Sequence, residues 1–226
     1  MISCYQLNVP NPRREAPLFD DATFEVEAGE WVEIQGTSGC GKTVLFSLLS
    51  LRSRTEHTKL IIAGRNASRL GSDGLADLRK RIGSCPEEPH YLEHRSLVEN
   101  LLLPFVARGE HEGAYEQVNE LLVRVGMDEF ADVQMKNLSL TERCAAGVLR
   151  ALVGQPEVVL LDEILGRTGA YRAALEAELS RVRDAGTTVV VFALTDPASR
   201  HADVVLGIRN GKITREKGVE ARPTGT

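Results

Sequence analysis

The sequence predicts an α/β fold: a largely parallel core sheet, a helical insert that interrupts it, and antiparallel β structure towards the N-terminus. Three observations predict it. VVLLDE (Val158 to Glu163) and TTVVVFAL (Thr187 to Leu194) are apolar runs of strand length, rich in β-branched residues, as in strands buried on both faces. From Ser96 to Val153 the spacing is almost wholly helical. Leu97, Leu101 and Leu102 form one stripe; Val118, Leu121, Leu122 and Val125 form another, which Gly126 ends. In the N-terminal segment, apolar and polar residues alternate between turn signals.

In chain order, ISCYQLNV and ATFEVEAGEWVEIQG read as strands. Phe24 and Val26 alternate with polar residues, as do Val32 and Ile34, and Ala28-Gly29 supplies a turn between the two pairs. VLFSLLSLRS reads as a helix, Leu60 to Ala63 as a short strand, Ala76 to Arg81 as a helix and Ile82 to Cys85 as a strand. Beyond the insert and VVLLDE, Ala170 to Asp184 is helical, and VVLGIRNGKITRE is a hairpin turning at Asn210-Gly211. One domain results: a core of about residues 1–85 and 154–217, a helical subdomain of about 86–153, and a disordered tail at 218–226.

Composition narrows the function classes. Of 226 residues, 42% are hydrophobic and 26% charged, as in soluble globular proteins. A net charge of −5 argues against a purely electrostatic grip on nucleic acid or anionic lipid. No apolar run is long enough to span a bilayer. Cys4, Cys40, Cys85 and Cys144 share no metal-ligand spacing and read as reduced thiols. His90 and His94 lie beside Pro86 and Pro89 in a loop, which disfavours a helical metal pair.

Between a strand and a helix stands GTSGCGKT, Gly36 to Thr43, which fits G-x-x-x-x-G-K-[ST] in full. Gly36, Gly39 and Gly41 permit backbone angles and close approach that a β-carbon forbids. With Thr37, Ser38 and Cys40 they form a loop whose N–H groups, from Gly39 to Val44, can face phosphate oxygens at a helix start. Lys42 can reach the β- and γ-phosphates, and the Thr43 hydroxyl can ligate Mg²⁺. A phosphate loop needs a further acid. Asp162, at the end of VVLLDE, would hold the magnesium, and Glu163 could accept a proton from attacking water. No N-K-x-D element supports guanine specificity.

EAGEWVEIQGTSGCGKT, RIGSCPEEPHYLEHRSLVENLLLPF, NLSLTERCAAGVLRALVGQPEVVLLDE, GTTVVVFALTDP and IRNGKI, in that order, resemble the ATP-binding subunit of an ABC (ATP-binding cassette) transporter over nearly the whole chain. The segment from Val98 to Met127 looks most like the branch serving lipoprotein release, macrolide efflux and cell division. The resemblance implies a P-loop NTPase core of ABC type and Mg²⁺ and ATP as ligands. It also implies a second ABC-type subunit, homo- or heteromeric, an integral membrane partner, no nucleic acid, and a cytoplasmic location peripheral to the membrane. Two such domains sandwich two ATP molecules, each held by the P-loop of one copy and the LSGGQ signature loop of the other.

The chain departs from the family at several positions. LSLTE stands for the signature: Leu138 and Ser139 match, but Leu140 and Thr141 replace two glycines that let backbone N–H groups approach the γ-phosphate. Glu87 replaces a glutamine and could still meet Mg²⁺. Thr195 replaces the switch histidine and is too short to copy its reach; His201 lies six residues on. Gly169 replaces an aspartate, and Ile164 and Leu165 replace a proline and a threonine. No aromatic lies between Tyr5 and Phe19 to stack on adenine; Arg13 or Arg14 could stack instead. These losses imply attenuated hydrolysis, or a regulatory subunit without useful turnover.

Overall fold

The computed structural model describes residues 1–11, 15–54, 58–194 and 201–216. In chain order these form β1 (Ile2–Val9), β2 (Phe19–Val26), β3 (Trp31–Gln35), α1 (Lys42–Leu49), β4 (Lys59–Ile62), β5 (Arg65–Asn66), α2 (Ser72–Lys80) and β6 (Ile82–Cys85). There follow α3 (Leu97–Arg108), α4 (Ala114–Val125), α5 (Leu140–Leu152), β7 (Val158–Asp162), α6 (Arg172–Asp184), β8 (Thr188–Ala193), β9 (Val204–Arg209) and β10 (Lys212–Glu216).

Two sheets result. The first, in the order β2-β1-β4-β5, is antiparallel throughout. The second runs β10-β9-β3-β8-β7-β6, parallel from β9 to β6 with β10 antiparallel at its edge. The turn at Ala28-Gly29 hands the chain from one sheet to the other; Gly29 sits at φ 75, and its N–H donates to the Thr188 hydroxyl at 3.2 Å. The Asn210-Gly211 turn has positive φ at both residues, 49 and 75, as a two-residue hairpin demands.

Alternate side chains of the parallel strands feed two cores. Val159, Leu161, Val189 and Val191 face the helical side with α3 to α6, whereas Leu160, Val190, Phe192 and Ile34 pack on α1 and the antiparallel sheet. The alternation in WVEIQ suggests a half-exposed strand, but β3 lies between β8 and β9 and is buried on both faces, Glu33 included. The helix read as Ala76 to Arg81 begins earlier, at Ser72, and β5 is too short to leave a pattern. Tail residues 218–226 lie outside the described residues.

Parallel strands end on one side of the sheet, where crevices for ligands form. The loops leaving β3, β6 and β7 emerge there together. Register is tight: Ile34 pairs with Phe192, Phe192 with Asp162, and Cys85 with Leu161.

Candidate nucleotide-binding site

β3 runs directly into the glycine-rich loop, and Gly41 is the N-cap of α1. Gly41 has φ 109, and a β-carbon there would lie 2.9 Å from the Phe19 ring; one at Gly36 would lie 2.4 Å from Cys40 Sγ. These positions are therefore closed to larger residues. The Cys40 N–H corrects one expectation: it donates to Thr37 O at 3.2 Å and closes a turn rather than facing a ligand. The first-turn N–H groups of α1 lack intrahelical partners, and no acidic side chain sits in that turn.

Lys42 is only 4% exposed, and its ammonium turns back onto the loop. It donates to Gly36 O at 2.5 Å and Thr37 O at 3.2 Å, and lies 3.1 Å from Glu163 Oε1. Three oxygens thus surround the ammonium. Glu163, just past β7, has φ 49, a costly conformation for a non-glycine residue, held by its N–H to Phe192 O at 3.0 Å. The strained backbone and the Lys42 contact together place a carboxylate against the loop.

Asp162 is 1% exposed, and neither carboxylate oxygen has a hydrogen-bond partner. Burial first, then the negative charges of Glu163 and Glu87, push its pKa up to about 6, against the opposing pull of Lys42 and Thr43. The Thr43 hydroxyl is near enough to favour the charged form but makes no hydrogen bond of ordinary geometry to it. An orphaned, buried, oxygen-only donor is what a hard divalent cation suits, so Thr43 and Asp162 fit Mg²⁺. Without such a cation the folded protein keeps a proton that the unfolded chain loses between about pH 4 and 6. Stability therefore falls as pH rises through that window. Asp162→Asn is expected to flatten this fall and to stabilise the ligand-free protein near pH 7 by about 1–3 kcal/mol. Urea unfolding at pH 5 and 7.5 without divalent cations checks it.

Glu87 is exposed in the loop after β6, and its carbonyl accepts from Arg167 Nη1 at 2.6 Å. Ser139 is the N-cap of α5: its hydroxyl accepts from Glu142 N at 3.3 Å while the Glu142 carboxylate accepts from Ser139 N at 2.7 Å. Ser139-x-x-Glu142 is a capping box, a helix-start pattern that the sequence itself carries. Leu140 opens the helix with its side chain 63% exposed. Thr141 covers Gly169: a β-carbon at Gly169, which has φ 53, would meet Thr141 Cγ2 at 2.8 Å.

His201 stacks on Trp31 at 5.4 Å and lies 3.3 Å from Ser180 Oγ. That is the start of β3, the opposite edge from the glycine-rich loop, so His201 does not substitute for a switch histidine. Thr195, Arg13 and Arg14 lie outside the described residues. A cleft of about 890 Å³ opens beside Gly36 to Cys40, bounded by Pro17, Leu18 and Ile208, with no aromatic among its described lining residues.

A family model described as ABC transporter matches residues 19–166. The chain belongs to that family. The cassette is 29% identical over 229 residues to the macrolide export ATP-binding/permease protein MacB of Salmonella typhi, covering 96% of this chain and 35% of that protein. It is 31% identical over 211 residues to the MacB protein of Pasteurella multocida, covering 91% and 32%. The chain thus spans about a third of the length of these curated relatives. Among solved structures, the dimeric ATP-binding cassette MJ0796 bound to ADP and Pi superposes with a TM-score of 0.86 at 20% identity, covering 98% of this chain and 100% of that one. A second dimeric structure of MJ0796 gives 0.84 at 22%. The ABC cassette fold, a P-loop NTPase core, is therefore that of this chain. No helix among the described residues is long and apolar enough to cross a membrane.

Proposed function

We propose that this ABC cassette binds Mg-ATP between Lys42, Asp162 and Glu163 and energises or gates a membrane-spanning partner, with slow hydrolysis. The observation that carries the reading is the meeting of a buried lysine, an orphaned buried aspartate and a strained glutamate where the interior strands β3 and β7 end. Lys42 exchanges Gly36 O and Thr37 O for phosphate oxygens, and the first-turn N–H groups of α1 take others. Thr43 and Asp162, with Glu87, would hold Mg²⁺, which would supply charge neutralisation at the phosphates. Glu163, released from Lys42, takes a proton as water oxygen bonds to the γ-phosphorus and the bridging β–γ bond breaks, leaving ADP and phosphate.

The slowness rests on α5. In a dimer its N-terminus faces the partner copy's nucleotide, and the exposed Leu140 stands where a close backbone approach is needed. Each oriented donor lost at a developing charge costs about 10²–10³ in rate. Glu163→Gln is expected to lower phosphate release about a hundredfold further while leaving Mg-ATP binding intact. Equal rates for the two proteins would remove Glu163 from the chemistry.

Leu140 and Thr141 also favour a second reading, a regulatory or structural subunit without useful turnover. Phosphate release indistinguishable from a Lys42→Ala control, with and without the membrane subunit, would select it. Dimerisation with a second ABC-type chain, peripheral attachment to the inner membrane face and the absence of a nucleic-acid partner belong to the same proposal. The MacB relatives are named as ATP-binding/permease proteins, and MJ0796 as a dimer.

A further inference from the structure

Arg167 has no place in the chemistry above, yet it joins two of the loops that build the site. It ends a 3₁₀ turn, Leu165–Arg167, four residues past Glu163. That turn is locked from within: Arg167 N donates to Ile164 O at 2.9 Å, and the fully buried Thr168 hydroxyl donates to Leu165 O at 2.8 Å. From this fixed base the guanidinium reaches across to the loop after β6 and donates to Glu87 O at 2.6 Å.

The far end of that loop is held by other groups. Tyr91 donates to Arg143 O and lies beneath both Arg143 and Arg150, whose guanidinium carbons are 5.3 and 4.6 Å from its ring centre. Glu93 receives both terminal nitrogens of Arg143, at 2.7 and 2.5 Å. Asn100, 1% exposed, clamps Leu92 through its N–H and its carbonyl, at 2.9 and 3.1 Å. All of these lie at or beyond residue 91. At the near end the loop carries Glu87, whose carboxylate makes no hydrogen bond or ion pair among the described residues. Beside the weak contact of Cys85 Sγ to Pro86 O at 3.6 Å, Arg167 supplies a charge-assisted tie there, to the backbone of Glu87 itself.

We propose that Arg167 is a positioning residue for the divalent-cation site: by holding the Glu87 carbonyl it sets the backbone of the loop after β6 against the turn that follows β7, and so keeps the Glu87 side chain anchored within reach of Asp162. The inference deepens the Mg-ATP reading and rests on it. A lysine can make the same single bond to a carbonyl, so charge and donor rather than shape carry the role.

The test is thermal stabilisation of the ATP-bound protein during a Mg²⁺ titration, beside ATP binding in EDTA, for wild type, Arg167→Ala and Arg167→Lys. The expected result is about a tenfold rise in the Mg²⁺ concentration for half-maximal stabilisation in Arg167→Ala. ATP affinity in EDTA and the melting temperature without ligands stay at wild-type values, and Arg167→Lys recovers most of the Mg²⁺ response. An unchanged Mg²⁺ midpoint overturns the proposal. So does loss of ATP binding in EDTA by both variants, which marks a general structural role. A wild-type protein that binds no ATP under either condition fails the Mg-ATP reading itself.

Discussion

Lys42→Ala is expected to lower Mg-ATP affinity by about a hundredfold or more. The ammonium is almost wholly buried and already donates to two carbonyl oxygens beside Glu163, so it is preorganised for an anion. Charge-assisted hydrogen bonds contribute about 1.5–3 kcal/mol each, and two to phosphate exceed the roughly 2.7 kcal/mol that a hundredfold change represents. The substitution also leaves Asp162 and Glu163 without the positive charge that partly offsets their repulsion. Calorimetric titration with ATP and Mg²⁺ reads the effect. A dissociation constant within threefold of wild type would show that the loop is not the nucleotide's main anchor.

Gly83→Ala is expected to have the largest effect on stability. A β-carbon at Gly83 would fall 1.8 Å from the Ala151 carbonyl oxygen and 2.8 Å from its carbon. Both atoms are backbone, so no rotamer change relieves the contact; β6 and α5 must separate. Losses above about 4 kcal/mol follow from such changes, near 10 °C in melting temperature for a domain of this size. β6 leads to Glu87 and α5 begins at Leu140, so the same contact supports both parts of the proposed site. Gly71→Ala, where a β-carbon meets nothing within 4 Å and only an N-cap preference is lost, is the control and should shift stability by no more than about 1 kcal/mol. A Gly83→Ala protein that melts with that control would contradict the packing described.

The parts of the site readable from the sequence are those whose geometry is local. GTSGCGKT writes its own backbone angles into Gly39 and Gly41, and VVLLD announces a buried strand with an acid at its end. The parts that were not readable depend on which strands are neighbours. Glu33 looks half-exposed by alternation but is buried because β3 is central. Arg167 and Glu87 are eighty residues apart, and nothing in either stretch marks the other. Thr141 and Gly169 read as two separate departures; in space they are one contact, the methyl of one filling the place a side chain of the other would take. The two Ser-x-x-Glu boxes at Ser96 and Ser139 were available as helix starts, and the structure uses both.

The proposed function is firm Mg-ATP binding with slow hydrolysis. Equilibrium binding and steady-state phosphate release, measured on one preparation with and without the membrane subunit, test it most directly. Saturable binding of one ATP per chain, lost in Lys42→Ala, is expected, with turnover at least a hundredfold below the roughly 10 s⁻¹ common among enzymes. Turnover near 10 s⁻¹, or no saturable binding, would contradict it.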